Sequence, residues 1–406
     1  MLISPDQSGM SIEQLTGLAE SGNVVAQFYL GMSYHLGLNT PADPQKAIHW
    51  WAHAAEQNNR EAQYLLGQCY YFGTAVPQNT ETAAGWYRRA AEQGHIQAQI
   101  NLAAMFLSGT GVTQNDDHAR LCLEQAAKSG SSEASVALAR LYEEGRGVTR
   151  DDAEALAWFN CAIELDPKNP NAAYSIGLMI RENRIPVRAS IEAVPWFERA
   201  AEAGHVLAQV ELAGTYMRGD LVRQDYEKAV LWYERASSQG HPQASFQLGL
   251  LYAQGMGTER NPLKALEFFT LSADKGVPQA IYALGMMYAL GRDVKRDPQK
   301  AASWFLRLAE QGNTDAMFML ASLHDEEFKN PSLAAEWYQR AAEKGHAPAQ
   351  YNLAILFLSG DETMRNLQLA RKWFEACAAS SRDPALVEKA KLRLVDMSEK
   401  NPNYIG

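Results

Sequence analysis

Between Ala62 and Gly94 the apolar residues fall into two helical stripes. Ala62, Leu66, Gly67 and Tyr70 stand at the i, i+4, i+5, i+8 spacing of one face and Gly73 interrupts them. Ala83, Trp86, Tyr87, Ala90 and Ala91 then form a second face that stops at Gly94. The spacing predicts two short amphipathic helices joined by a glycine-containing loop. A pair of this size cannot bury both faces by itself.

The pattern recurs along almost the whole chain. Its opening residues are Ala26, Ala62, Ala98, Ala134, Ala172, Ala208, Ala244, Ala280, Ala316 and Ala349, in steps of 36 residues apart from 38 before Ala172 and 33 before Ala349. Four places on stands Leu (Ile176 in the fifth unit), followed by Gly or Ala. Eight places on stands an aromatic residue, with Ile180 and His324 as exceptions. The second helices carry Ala47, Ala83, Ala119, Ala155, Ala193, Ala229, Ala265, Ala301, Ala334 and Ala370. Three residues after these come Trp50, Trp86, Trp158, Trp196, Trp232, Trp304, Trp337 and Trp373, with Cys122 and Phe268 in the other two slots. A period of this length predicts a solenoid of stacked helix pairs, each touching only its neighbours.

The consensus A-x-x-x-L-G-x-x-Y-x-x-G-x-G-V, then K-A-x-x-W-Y-x-x-A-A-x-x-G, resembles the Sel1-like repeat, a relative of the tetratricopeptide repeat, over roughly residues 24 to 381. The resemblance implies an all-α, right-handed α/α superhelical solenoid of about ten repeats, with an N-terminal half-repeat and a C-terminal cap helix. It also implies an adaptor that binds other proteins. It names no partner, because the columns that define the family are packing columns. Cysteine-rich members of the family pair two cysteines within each unit. Here Cys69, Cys122, Cys161 and Cys377 lie in four different units, so they read as free thiols.

Taken in order, residues 1–10 read as a disordered lead, 11–165 as a cap helix with repeats 1–4, 166–381 as repeats 5–10, and 382–406 as a cap helix and tail. Ser11 is placed to N-cap the first helix, whose Leu15, Leu18 and Ala19 face inward. The loops GTGVTQND and GRGVTRDD set Gly at the end of a first helix and Asn or Asp before the next; no GK[ST] follows, so capping rather than phosphate binding explains them. The fifth repeat departs most. AIELDPKNPN precedes it, Asn183 replaces Gly, and its loop reads RENRIPVRAS. Pro195 just before Trp196 predicts a second helix that starts late or kinks. A change of superhelical curvature between about 165 and 195, dividing lobes of four and six repeats, is expected there. Asp383-Pro384 opens the last helix, with Ala385, Leu386, Ala390, Leu392, Leu394 and Val395 set among charges.

Charge narrows the partner. With 37 basic against 47 acidic residues the net charge is −10, without long blocks, which argues against a nucleic-acid or anionic-membrane surface. No stretch approaches the ~20 apolar residues of a membrane span. The start MLISPDQSGM lacks a basic and then apolar signal, so the sequence as written reads as cytoplasmic; a removed signal peptide would make it periplasmic or secreted.

By analogy with related helix-pair repeats, the groove lies along the first helices, two and six places after the opening Ala. The first column reads Phe28, Tyr64, Ile100, Val136, Tyr174, Val210, Phe246, Tyr282, Phe318 and Tyr351; the second reads Met32, Gln68, Ala104, Arg140, Leu178, Gly214, Leu250, Met286, Ser322 and Ile355. Seven aromatics in ten positions, with methionines beside them, suit a partner-binding wall, or else the repeats' own packing. Arg140, Glu143, Glu144, Arg181, Glu182, Asp325 and Glu326 would stand at its rim, orienting a partner or simply facing water. His95, His205, His241 and His346 share one position, but stacked units hold neighbours about 10 Å apart, too far to share a zinc with ~2.1 Å bonds. His49 and His53 have i, i+4 spacing without a third ligand. No nucleophile elbow, Walker loop or dinucleotide fingerprint is present, so no cofactor, metal or catalytic residue is expected. The sequence therefore reads as a monomeric, non-enzymatic scaffold that holds another protein or a peptide segment of one. The alternatives are an inhibitor or immunity protein that blocks a toxin or enzyme, and an exported receptor for a host protein or glycan.

Overall fold

A computed structural model describes residues 10–185, 192–360 and 364–400. The lead before Met10, residues 186–191 and 361–363, and the tail after Lys400 lie outside the described residues. The described residues form helices and connecting loops with no strand. A half-repeat helix comes first, α1 (Ile12–Glu20). The first helices are α2 (Val24–Leu36), α4 (Arg60–Phe72), α6 (Ile96–Ser108), α8 (Ser132–Glu144), α10 (Pro170–Arg181), α12 (Val206–Arg218), α14 (Pro242–Gln254), α16 (Pro278–Leu290), α18 (Thr314–Glu326) and α20 (Ala347–Ser359). The second helices are α3 (Pro44–Glu56), α5 (Thr80–Glu92), α7 (Asp116–Lys128), α9 (Asp152–Leu165), α11 (Ala193–Glu202), α13 (Tyr226–Ser238), α15 (Pro262–Asp274), α17 (Pro298–Glu310), α19 (Pro331–Glu343) and α21 (Leu367–Ser380), followed by α22 (Pro384–Lys400).

Local chemistry fixes these boundaries. Ser11 closes a capping box with Gln14 at the start of α1. Asn, Asp, Ser or His side chains accept the orphan N–H groups of most later helices, and Val277 before α16 is an exception. Glycines such as Gly73 (φ 72°) end the first helices in the left-handed conformation. Asn183 takes that role in repeat 5 at φ 54°. A second loop glycine has a further reason: a Cβ on Gly147 would lie 2.6 Å from the Asp116 carbonyl oxygen, at the start of α7 in the preceding repeat. Helix α11 starts at Ala193, so Pro195 falls in its first turn, where its missing N–H costs nothing.

The chain divides into two compact units, residues 1–209 and 210–406, with the division inside α12. In the first, successive helices from α1 to α11 pack on one another, most lightly between α9 and α10. In the second, the same holds from α13 to α22. The tightest burial lies one residue beyond the tryptophans. Trp51, Tyr87, Leu123, Phe159, Phe197, Tyr233, Phe269, Phe305, Tyr338 and Phe374 are at most 3% exposed, whereas most of the tryptophans are half-buried. Opposite Trp51, Tyr87, Phe197, Phe269 and Phe305 stands the Gly five places after the opening Ala; a Cβ on Gly285 would lie 2.5 Å from the Phe305 ring. The array ends are closed unequally. Leu15 and Ala19 of α1 cover Ala26 and Leu30, while in α22 only Ala390 is fully buried and Leu392 and Val395 stay exposed.

Candidate functional site

The first helices carry the candidate residues, and their side chains have two kinds of neighbour. In the first column Phe28 is buried, while Tyr64, Tyr174, Phe246, Tyr282, Phe318 and Tyr351 are half-buried. Each half-buried ring leans on the buried ring of its own second helix: Tyr64 on Tyr87 (5.9 Å between centroids), Tyr174 on Phe197 (6.0 Å), Phe246 on Phe269 (5.8 Å), Tyr282 on Phe305 (5.5 Å), Phe318 on Tyr338 (5.7 Å) and Tyr351 on Phe374 (5.5 Å). One side of each ring therefore packs within its own repeat.

The next repeat supplies the second neighbour. His95, His205, His241 and His346 are helix N-caps whose Nδ1 accepts the N–H of Ala98, Ala208, Ala244 and Ala349 at 3.1–3.2 Å. His95 lies against Tyr64 (4.4 Å), His205 against Tyr174 (4.3 Å) and His346 against Phe318 (5.1 Å). Accepting at Nδ1 leaves the hydrogen on Nε2, which meets Glu61 from His95 and Asp315 from His346, each at 3.1 Å. Burial lowers the pKa of His205, aided by the nearby Arg140 charge, and burial alone lowers that of His241. The shared position of these histidines is thus a capping position. In other repeats the same slot holds Asn23, Asn59, Ser131, Asn169 and Asn313, a signal present in the sequence.

The second column is more open. Met32 and Met286 are half-buried, Arg140 is exposed, and the Arg181 guanidinium lies 5.7 Å from the Phe197 ring. At the rim, Arg184 bridges Glu143 (2.8 Å) and Asp152, which raises its pKa and lowers that of Asp152. Between α4 and α6, Tyr71, Phe72, Tyr87, Asn101, Ala104 and Met105 line a cavity of about 110 Å³, with Phe72 69% exposed at its edge. That volume suits one side chain rather than a whole ligand.

The tryptophan column is occupied by the protein itself. Arg89, Arg199, Arg235, Arg307 and Arg340 lie over Trp86, Trp196, Trp232, Trp304 and Trp337 at 4.5–5.6 Å. Arg307 also donates to the Ala273 carbonyl of the preceding second helix. His49 and His53 are exposed and meet edge to face at 4.6 Å. Among the described residues no three His, Cys, Asp or Glu side chains gather as metal ligands, and the four cysteines are free thiols. No helix of the described residues is long and apolar enough to cross a membrane.

A family model for the Sel1 repeat matches ten successive segments: 24–59, 60–95, 96–131, 132–167, 170–205, 206–241, 242–277, 278–313, 314–346 and 347–380. Among solved structures, a protective antigen of uropathogenic Escherichia coli with the same repeat fold is 32% identical, over 97% of this chain and 83% of its own, at a TM-score of 0.68. A Sel1 repeat protein of Oxalobacter formigenes is 30% identical, over 76% of this chain and 90% of its own, at a TM-score of 0.58. No curated protein matches the chain at a significant level.

Proposed function

The chain belongs to the Sel1-repeat family, and we propose that it is a non-enzymatic scaffold holding another protein, or a segment of one, along the wall made by its first helices. The observation that supports this reading is the half-exposed aromatic column, backed by buried rings and flanked by methionines. Rings anchored on one side keep little conformational freedom to lose on binding, and aromatic residues and Met are the types enriched in interfaces. The protein would hold its partner by surface complementarity, with no residue acting on a substrate.

Replacing Met286 and Leu290 together, as Met286→Ala with Leu290→Asp, tests the reading, because Met286 is half-buried and Leu290 is 50% exposed, so the fold loses little. In affinity capture from the native lysate read by mass spectrometry, a dominant partner should bind the wild type and be lost with the variant. A partner kept by both proteins would place binding on the second helices or the loops.

The E. coli relative is a protective antigen, which favours a second reading, an exported receptor for a host protein or glycan. Protease accessibility of the protein on intact cells separates the two: digestion there supports the receptor, and protection supports the internal scaffold.

A further inference from the structure

We infer that the first-helix wall of repeats 7 to 10 takes a basic segment of its partner, with apolar anchors on one face and Lys or Arg beside them. This rests on the protein-binding reading above and adds the chemistry of the bound segment. Helices α14, α16, α18 and α20 contain no Lys and no Arg. On the second helices beside them, Arg307, Arg340 and Lys372 lie over the tryptophans of their own helices, while Lys264 and Lys300 reach Tyr252 and Tyr288 near the C-terminal ends of α14 and α16. The wall between is apolar and adaptable, with Leu250, Met286, Met287 and Met319 half-buried and Leu290 exposed.

Every charged residue on these four helices is acidic: Asp315, Asp325 and Glu326, all on α18. At the start of α18 Asp315 takes the His346 Nε2 hydrogen at 3.1 Å, and at its end Asp325 and Glu326 add to the burial that raises the pKa of Tyr338, the buried ring behind Phe318. Asp325 and Glu326 also stand in the last turn of α18, the negative end of its dipole, where carboxylates destabilise a helix. The following Glu327 is paired with Arg296, near Lys329. Among the described residues neither Asp325 nor Glu326 has an ion-pair partner in the fold. Two carboxylates held at a cost to stability, beside apolar first helices that carry no Lys or Arg of their own, are complementary to a cationic amphipathic segment.

The test selects peptides from a random 16-residue display library on the full chain. Selection is repeated on Asp325→Asn/Glu326→Gln and on Met286→Ala/Leu290→Asp. Families rich in Lys and Arg with spaced apolar residues should be enriched on the wild type. A synthetic member should bind the acid-neutralised variant about tenfold more weakly at low salt, with a flatter salt dependence. The same variant should melt higher than the wild type, because the dipole conflict is removed. Neutral or acidic families that depend on Met286 and Leu290 would overturn the charge assignment and leave the wall as a binding face. If no enriched family is sensitive to either variant, both the inference and the wall reading fall.

Discussion

Phe305 and Trp304 are adjacent and large, and they do different work. Phe305 is fully buried against Gly285, whereas Trp304 is half-buried beneath the Arg307 guanidinium. Phe305→Ala should cost about 3–5 kcal/mol, the range for emptying an aromatic core site. Trp304→Ala should cost about 1–2 kcal/mol, in proportion to the area it hides. Urea unfolding of both variants, with hydrogen exchange over repeats 8 and 9, checks the ordering; equal losses would make the tryptophan a core residue. Tryptophan is the more conspicuous repeat marker, so the sequence pattern points at the neighbouring column instead of the one with the tightest packing. The candidate binding column is ambiguous in sequence for a related reason. A Tyr or Phe two places after the opening Ala both packs and faces outward, and residue type alone does not say which side a partner would use.

At the scale of the helix, the ends are set by single side chains, and four of those side chains are imidazoles. An imidazole caps only while Nδ1 is unprotonated. For His205 and His241 the folded-state pKa lies below the ordinary value, so as pH falls through about 6.5 the unfolded chain takes up protons first. Their contribution is therefore complete above that pH and is lost as pH falls through the folded-state value. Each lost cap is worth about 1 kcal/mol. The amides of Ala208 and Ala244 should lose exchange protection between pH 6.5 and 5, while those of Ala62 and Ala316, capped by Asn59 and Asn313, should not. Replacing His205 and His241 by Asn should flatten the acid limb of the stability profile. Uniform loss across all repeats would assign that limb to other groups. Helix starts of this kind were legible from Asn, Asp and Ser, and His was missed because it is an uncommon cap.

For the molecule as a whole, stability comes from neighbour-to-neighbour seams rather than one central core. The repeat count and helix pairing could be read from the sequence because each column recurs often enough to outvote its exceptions. The junction at repeat 5 could be read only as a disturbance, since the Arg184 bridge between Glu143 and Asp152 joins residues 41 and 32 positions apart, outside the repeat register. An array of seams is vulnerable at its ends. Removing residues 1–22 would expose Ala26 and Leu30, which are 5% and 0% exposed beneath α1. Loss of exchange protection confined to α2 and α3, with increased self-association by light scattering, is the expected result. An unchanged repeat 1 would show that α1 contributes nothing to the seam.

The seams recur at one sequence distance. Gln57 to Gln27, Gln93 to Gln63 and Ser380 to Gln350 are side-chain bonds between residues 30 apart, and Gly147 fits against the start of α7 at Asp116 from one repeat to the one before it. A recombination event that copies or drops one 36-codon block leaves a matching seam on either side, whereas a single inserted codon within a helix breaks the register of every column that follows in that unit. Such a gene can change length in whole repeats, gaining or losing binding surface without redesigning a junction.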